Sequence, residues 1–170
     1  ASAENAIAFG TGAIATQIRA IAVGQNTNAI GSDAIAIGAN ANAAIGNSLA
    51  VGKGALVTAG NAAAFGLSAT ATGTSSLALG KSSTASEYRA IAIGSEAQAF
   101  GISSTAIGSE AQAKGQSAIA FGENSVASGT NSLSFGLSSS ATGAGSTAIG
   151  YQSKASEQWA IAIGDIAKAT

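Results

Sequence analysis

The chain has no histidine, no cysteine, no proline and no methionine, and only 9% of its 170 residues are charged. Each absence excludes something. Without His or Cys there is no Ser-His or Cys-His nucleophile, and the commonest metal ligands are missing. Catalysis, a bound metal and a cofactor are therefore not expected. The seven basic residues are scattered and the formal net charge is −1, so no phosphate-binding surface forms and nucleic acid is not an expected partner. There is no apolar run of 18 residues, which excludes a membrane-spanning helix, and no signal peptide is visible. The absence of Cys fits a cytosolic protein or a bacterial surface protein without disulfides. The chain begins in the middle of a pattern, which reads as a piece of something longer.

The pattern is the most informative feature. Glycine recurs at Gly10, Gly24, Gly38, Gly52, Gly66, Gly80, Gly94, Gly108, Gly122, Gly136, Gly150 and Gly164, every 14 residues with no insertion or deletion. Two and four residues before it stand only Ala or Ser. One and three residues before it stand mostly Ile, Leu, Val or Phe. Three and five residues after it stand Ala, Ser or Thr, with one exception at Val57. Alternation with period two marks short strands. A helix is excluded, because residues two apart do not share a helical face and a glycine in every second heptad would cost about 1 kcal/mol each time. Each repeat is therefore strand, turn, strand, turn, one coil of a β-solenoid. The fold class is all-β, a single unit over residues 1–170 with about twelve coils.

Side chains alternate between the two faces of a strand. A 14-residue coil is narrow, so the two small faces should meet inside it. The large apolar face of the first strand must then point outward. It holds Ile7, Phe9, Ile21, Val23, Ile35, Ile37, Leu49, Val51, Phe65, Leu77, Leu79, Ile91, Ile93, Ile107, Ile119, Phe121, Leu133, Phe135, Ile149, Ile161 and Ile163. Only Ala63, Thr105 and Thr147 interrupt it. At roughly 4.8 Å per coil the stripe is about 55 Å long, more than a soluble monomer ordinarily exposes. Other copies of the chain are expected to cover it, with cyclic symmetry. All 15 charges fall on turns or on the polar strand face.

These residues resemble a known family. The pattern [Ala/Ser]-[Ile/Leu]-Ala-[Ile/Val/Phe]-Gly-x-x-[Ala/Ser] is similar to the head repeat of trimeric autotransporter adhesins, the YadA-like head. The closest stretches to its Asn-Ser-Val-Ala-Ile-Gly motif are "NSLAVGKGA" at Asn47–Ala55 and "NSLSFGLSS" at Asn131–Ser139. The resemblance covers essentially the whole chain. It implies a left-handed parallel β-roll, a homotrimer, exposure on a Gram-negative surface, and attachment to host matrix proteins such as collagen, fibronectin or laminin, or to other surfaces. The neck, stalk and membrane anchor of that architecture are not in this sequence, so the chain reads as a head fragment.

A few residues stand out from the bland turns. Residues 64–94 align with 134–164 at an offset of 70, with 19 of 31 identical. Arg19, Arg89 and Trp159 share one turn position, beside Tyr88, Glu87, Glu157 and Gln158. They are candidates either for ligand recognition, where Arg and aromatic residues dominate, or for an inter-chain bracket. Tyr151, Phe100, Leu67 and Leu137 are single bulky turn residues, which are normal on surfaces. Thr105 and Thr147 read as tolerated isosteres in the stripe or as ligands of a water or ion. "GTGAIA" at Gly10–Ala15 matches a dinucleotide fingerprint, but Gly10 is the repeat glycine and no helix follows. "GKSS" at Gly80 resembles a P-loop end, yet Ser75 stands where the first glycine belongs. An ice-binding solenoid would need a threonine array, an acyltransferase β-helix would need hexapeptide coils and a His, and an inert spacer remains an alternative to an adhesin.

Overall fold

The computed structural model describes residues 1–170 as two twelve-stranded parallel sheets. The first strand of each coil is three residues long, from Ile7–Phe9 in coil 1 to Ile161–Ile163 in coil 12. The second is two residues long, from Ile14–Ala15 to Lys168–Ala169. Every residue pairs with its equivalent in the next coil: Ile91 with Thr105, Ala92 with Ala106, Ile93 with Ile107, and on the other sheet Gln98 with Gln112 and Ala99 with Ala113. This is the expected solenoid of twelve 14-residue coils.

The turns belong to the ladder as fully as the strands do. Of 123 backbone hydrogen bonds, 90 lie outside the strand pairs proper. Most turns close on themselves, as where Ala97 N–H donates to the Gly94 carbonyl and Ala90 N–H donates to that of Glu87. Most turns also bond to the coil before them, as where Glu96 N–H donates to Lys81 O and Arg89 N–H to Thr74 O, at 2.8 and 3.0 Å. A proline at such a position would delete a rung, which accounts for the lack of proline. An inserted residue would throw every later rung out of step, which accounts for the unbroken period.

Each turn places its third residue in the left-handed region, the sign of φ that a type II turn requires there. The two columns are filled mainly by Asn, Ser, Asp and Gly, but also by Arg19 (φ 56°), Arg89 (55°), Glu96 (60°), Trp159 (61°) and Ile166 (54°). The repeat glycine is a stricter case. Gly94 has φ +132°, and a Cβ there would lie 2.3 Å from the carbonyl oxygen of Gly108 in the next coil. Neither the conformation nor the space admits a side chain.

The interior is a column of methyl and hydroxymethyl groups. Ala90, Ala92, Ala97 and Ala99 of one coil are all fully buried, and the largest fully buried side chain in the chain is Val57. Several interior hydroxyls are held by backbone carbonyls at the corners, while those of Ser76, Ser132 and Ser146 have no partner. Ser83, Ser125, Ser139 and Ser153 donate to the repeat glycine three residues earlier at 2.8–3.1 Å. Thr27 donates to Gly38 of the next coil at 2.8 Å. Ser134 and Ser139 bond across the core at 2.6 Å. This satisfies hydroxyls that would otherwise carry a desolvation cost.

Candidate interaction surface

With the small faces consumed by the core, the large side chains of the first strand have nowhere to go but outward. They lie half-buried or exposed along one side of the roll. In the middle, Ile91 and Ile93 are half-buried, because the same column of the coils above and below covers their flanks. At the two ends that cover is halved: Phe9 is 72% exposed and Ile163 66%. Phe121 and Phe135 stack face to face within the stripe, centroids 4.7 Å apart and planes 6° from parallel. Eleven steps of about 4.8 Å by a three-residue strand of about 10 Å give a projected face of roughly 500 Å². That is in the upper part of the range, about 300–600 Å², of the largest apolar patch on a typical monomer, a patch that is often functional. No charged residue lies within it.

The second feature is the edge formed by the second turn, where Arg19, Arg89 and Trp159 occupy the same left-handed position. They do different things there. The Arg19 guanidinium reaches along the roll axis to Asp33, its equivalent one coil later, with two parallel bonds of 2.5 and 2.8 Å. That side-chain hydrogen bond, with the opposite charge beside it, holds the Asp33 carboxyl below its ordinary range and raises the Arg19 guanidinium. Arg19 is thus engaged within its own chain. Arg89 folds back over the ring of its neighbour Tyr88, with its guanidinium carbon 4.9 Å from the ring centroid, a cation–π contact. The Trp159 indole covers Gly145 of the preceding coil so closely that a Cβ at 145 would meet it at 2.2 Å, yet the residue is 68% exposed. Tyr151 is exposed on the opposite, first-turn edge, so the five turn candidates do not form one cluster.

Aligning the sequence on one glycine column conceals two things that the structure places. Ile18, Ile30 and Ile45 are exposed together on the second-turn edge of the first three coils. They sit at three different offsets from the repeat glycine, and only the turn geometry collects them. The other is the second left-handed column, five residues before each repeat glycine; its excess of Asn, Ser and Asp, residues that tolerate that conformation, is the signal that could have found it.

A parallel β-solenoid with an alanine interior and one continuous apolar flank is a repeat architecture in which each coil contacts only its neighbours. The family model of the YadA head domain repeat matches residues 1–27, 29–55, 58–83, 85–111, 113–139 and 141–165, each match spanning two coils. The chain belongs to the YadA head-repeat family. Among solved structures it is similar to the collagen-binding domain of the Yersinia adhesin YadA, with 32% sequence identity over 83% of this chain and a TM-score of 0.44. The match spans 63% of that domain's length. Comparison with curated proteins gives no match.

Proposed function

We propose that this chain is the head of a trimeric autotransporter adhesin, displayed on a Gram-negative cell surface and attaching the cell to host matrix or other surfaces. The observation that carries the reading is the apolar flank: twelve coils of Ile, Leu, Val and Phe, free of charge and left open to solvent by a single chain. Burying one such side chain is worth about 1.5–3 kcal/mol, so covering the stripe supplies ample energy for association. Three left-handed rolls with their flanks turned to a common axis satisfy it, in keeping with the family the chain belongs to.

The solved relative is a collagen-binding domain, which makes collagen the first matrix ligand to try, with fibronectin and laminin next. A surface of repeated weak contacts suits a fibrous ligand, where avidity multiplies modest affinity. A chain with no His and no Cys is assigned no catalytic role. The test has two arms. Sedimentation of the wild type should give three chains per particle, and the double substitution Ile91→Asp with Ile93→Asp should give a smaller species. The wild-type particle should then be retained on immobilised collagen, fibronectin or laminin. Trimers that bind none of these would leave the spacer reading standing.

A further inference from the structure

The apolar flank has a problem of register. Its units repeat every coil, so two copies lying side by side can mate at any offset of a whole number of coils, about 4.8 Å each. An offset costs only the cover of the coils left over at the ends. The outer column next to the repeat glycine, from Phe9 to Ile163, is large and apolar in all twelve coils and cannot tell one offset from another. The column two residues earlier can. It is interrupted at Ala63, Thr105 and Thr147, in coils 5, 8 and 11, spaced 42 residues apart each time. All three are half-buried in the flank. The threonine hydroxyls that bond within the chain are those of Thr27, Thr70 and Thr72; those of Thr105 and Thr147 take no partner.

We propose that Ala63, Thr105 and Thr147 set the axial register at which copies of this chain pack flank to flank. The inference rests on the homo-oligomer reading above. Its occupant is a second copy, because only a partner with the same rise and the same interruptions matches the flank coil for coil. With copies level, each notch meets its own equivalent, and the free hydroxyls of Thr105 and of Thr147 face hydroxyls of the neighbouring copies. An offset of one coil sets every hydroxyl against Ile or Leu, where it is buried without a partner, and an offset of two does so for every hydroxyl but one Thr147, which is left beyond the partner's last coil. An offset of three coils matches two of the three notches but uncovers three whole coils. The device is the β-solenoid counterpart of a single polar residue that fixes alignment in a coiled coil.

The test uses the absence of native cysteine. Copies carrying Ile93→Cys are refolded with copies carrying Phe121→Cys, two coils away, and oxidised. At roughly 9.6 Å of axial separation the mixed disulfide cannot close between level copies, because bridged Cα atoms lie within about 7 Å. It closes when copies slip by two coils. In the wild-type background only the two homodisulfides are expected, Ile93→Cys with itself and Phe121→Cys with itself. With the notches filled (Ala63→Leu, Thr105→Ile, Thr147→Ile) the particle should keep its sedimentation coefficient while the mixed disulfide rises about tenfold or more, the ratio that an unmade hydroxyl hydrogen bond commands. A filled variant that still gives only the homodisulfides overturns the proposal, as does a wild type that forms the mixed one freely or forms no homodisulfide. A wild type that sediments as a monomer overturns the oligomer reading first, and this inference with it.

Discussion

Gly94→Ala should be among the most damaging single-methyl changes in the chain, and the structure supplies its own controls. At Gly94 two costs coincide. The residue has φ +132°, and the new Cβ would stand 2.3 Å from the oxygen and 2.6 Å from the carbon of Gly108. Holding a non-glycine residue in a sparsely populated region costs about 1–3 kcal/mol. Relieving the clash means lifting one coil off the next by about 1 Å, an overpacking strain of about 1–3 kcal/mol. The sum is about 2–6 kcal/mol. Gly54 separates the two costs, having φ +67° but nothing nearer than Ser68 Oγ at 3.6 Å; Gly54→Ala should lose only about 1–2 kcal/mol. Gly60 carries neither cost, with ordinary φ and neighbours at 3.7 Å; Gly60→Ala should be neutral or gain about 0.4–1 kcal/mol through the unfolded chain. The assay is guanidinium unfolding followed by circular dichroism, at one fixed protein concentration because association contributes to apparent stability. If Gly94→Ala unfolds together with Gly54→Ala, close approach of the coils is not what demands the glycine, and the reasoning is wrong.

Three further outcomes follow from the same geometry. Ala92→Leu puts three extra carbons among alanines that are all fully buried, so it should cost more than about 3 kcal/mol and show as protease sensitivity at the middle coils. Ile166 is a β-branched residue at φ 54°, an outlier for its type; Ile166→Gly should stabilise the last coil by about 1 kcal/mol, read as slower amide exchange there. For Arg19 and Asp33, the folded state holds the carboxyl below its unfolded value of about 3.9. The pair's contribution is therefore present above that value and lost as pH falls through the folded one. Wild type and Asp33→Asn should differ in melting temperature near neutral pH and converge in strong acid, and because both side chains are exposed the difference should shrink in high salt.

The period, the strands, the small interior and the outward flank were all legible in the sequence, because a 14-residue coil repeats one local environment twelve times. An alanine between two isoleucines means the same thing in Ile35–Ile37 as in Ile91–Ile93. The turn residues were legible only as a column. Arg19, Arg89 and Trp159 align in sequence, and the structure gives them three different contacts. Those contacts depend on what stands one coil away: Asp33 beyond Arg19, and Gly145 beneath Trp159. The pairing of Arg19 with Asp33 also shows how a residue that reads as available for a ligand is already engaged.

By itself the sequence determined the coil, its twelve-fold stacking and the division of every side chain between core, flank and solvent. These follow from alternation along a strand and from the lack of room inside, and both are local. Only the tertiary structure decided which turn residues meet across coils. It alone showed that the repeat glycine is held by the next coil's carbonyl as well as by its own φ, and that the exposed isoleucines of the first three coils share an edge. Those facts depend on distances of a few ångströms between residues 14 or more apart, which repeat spacing indexes but does not measure.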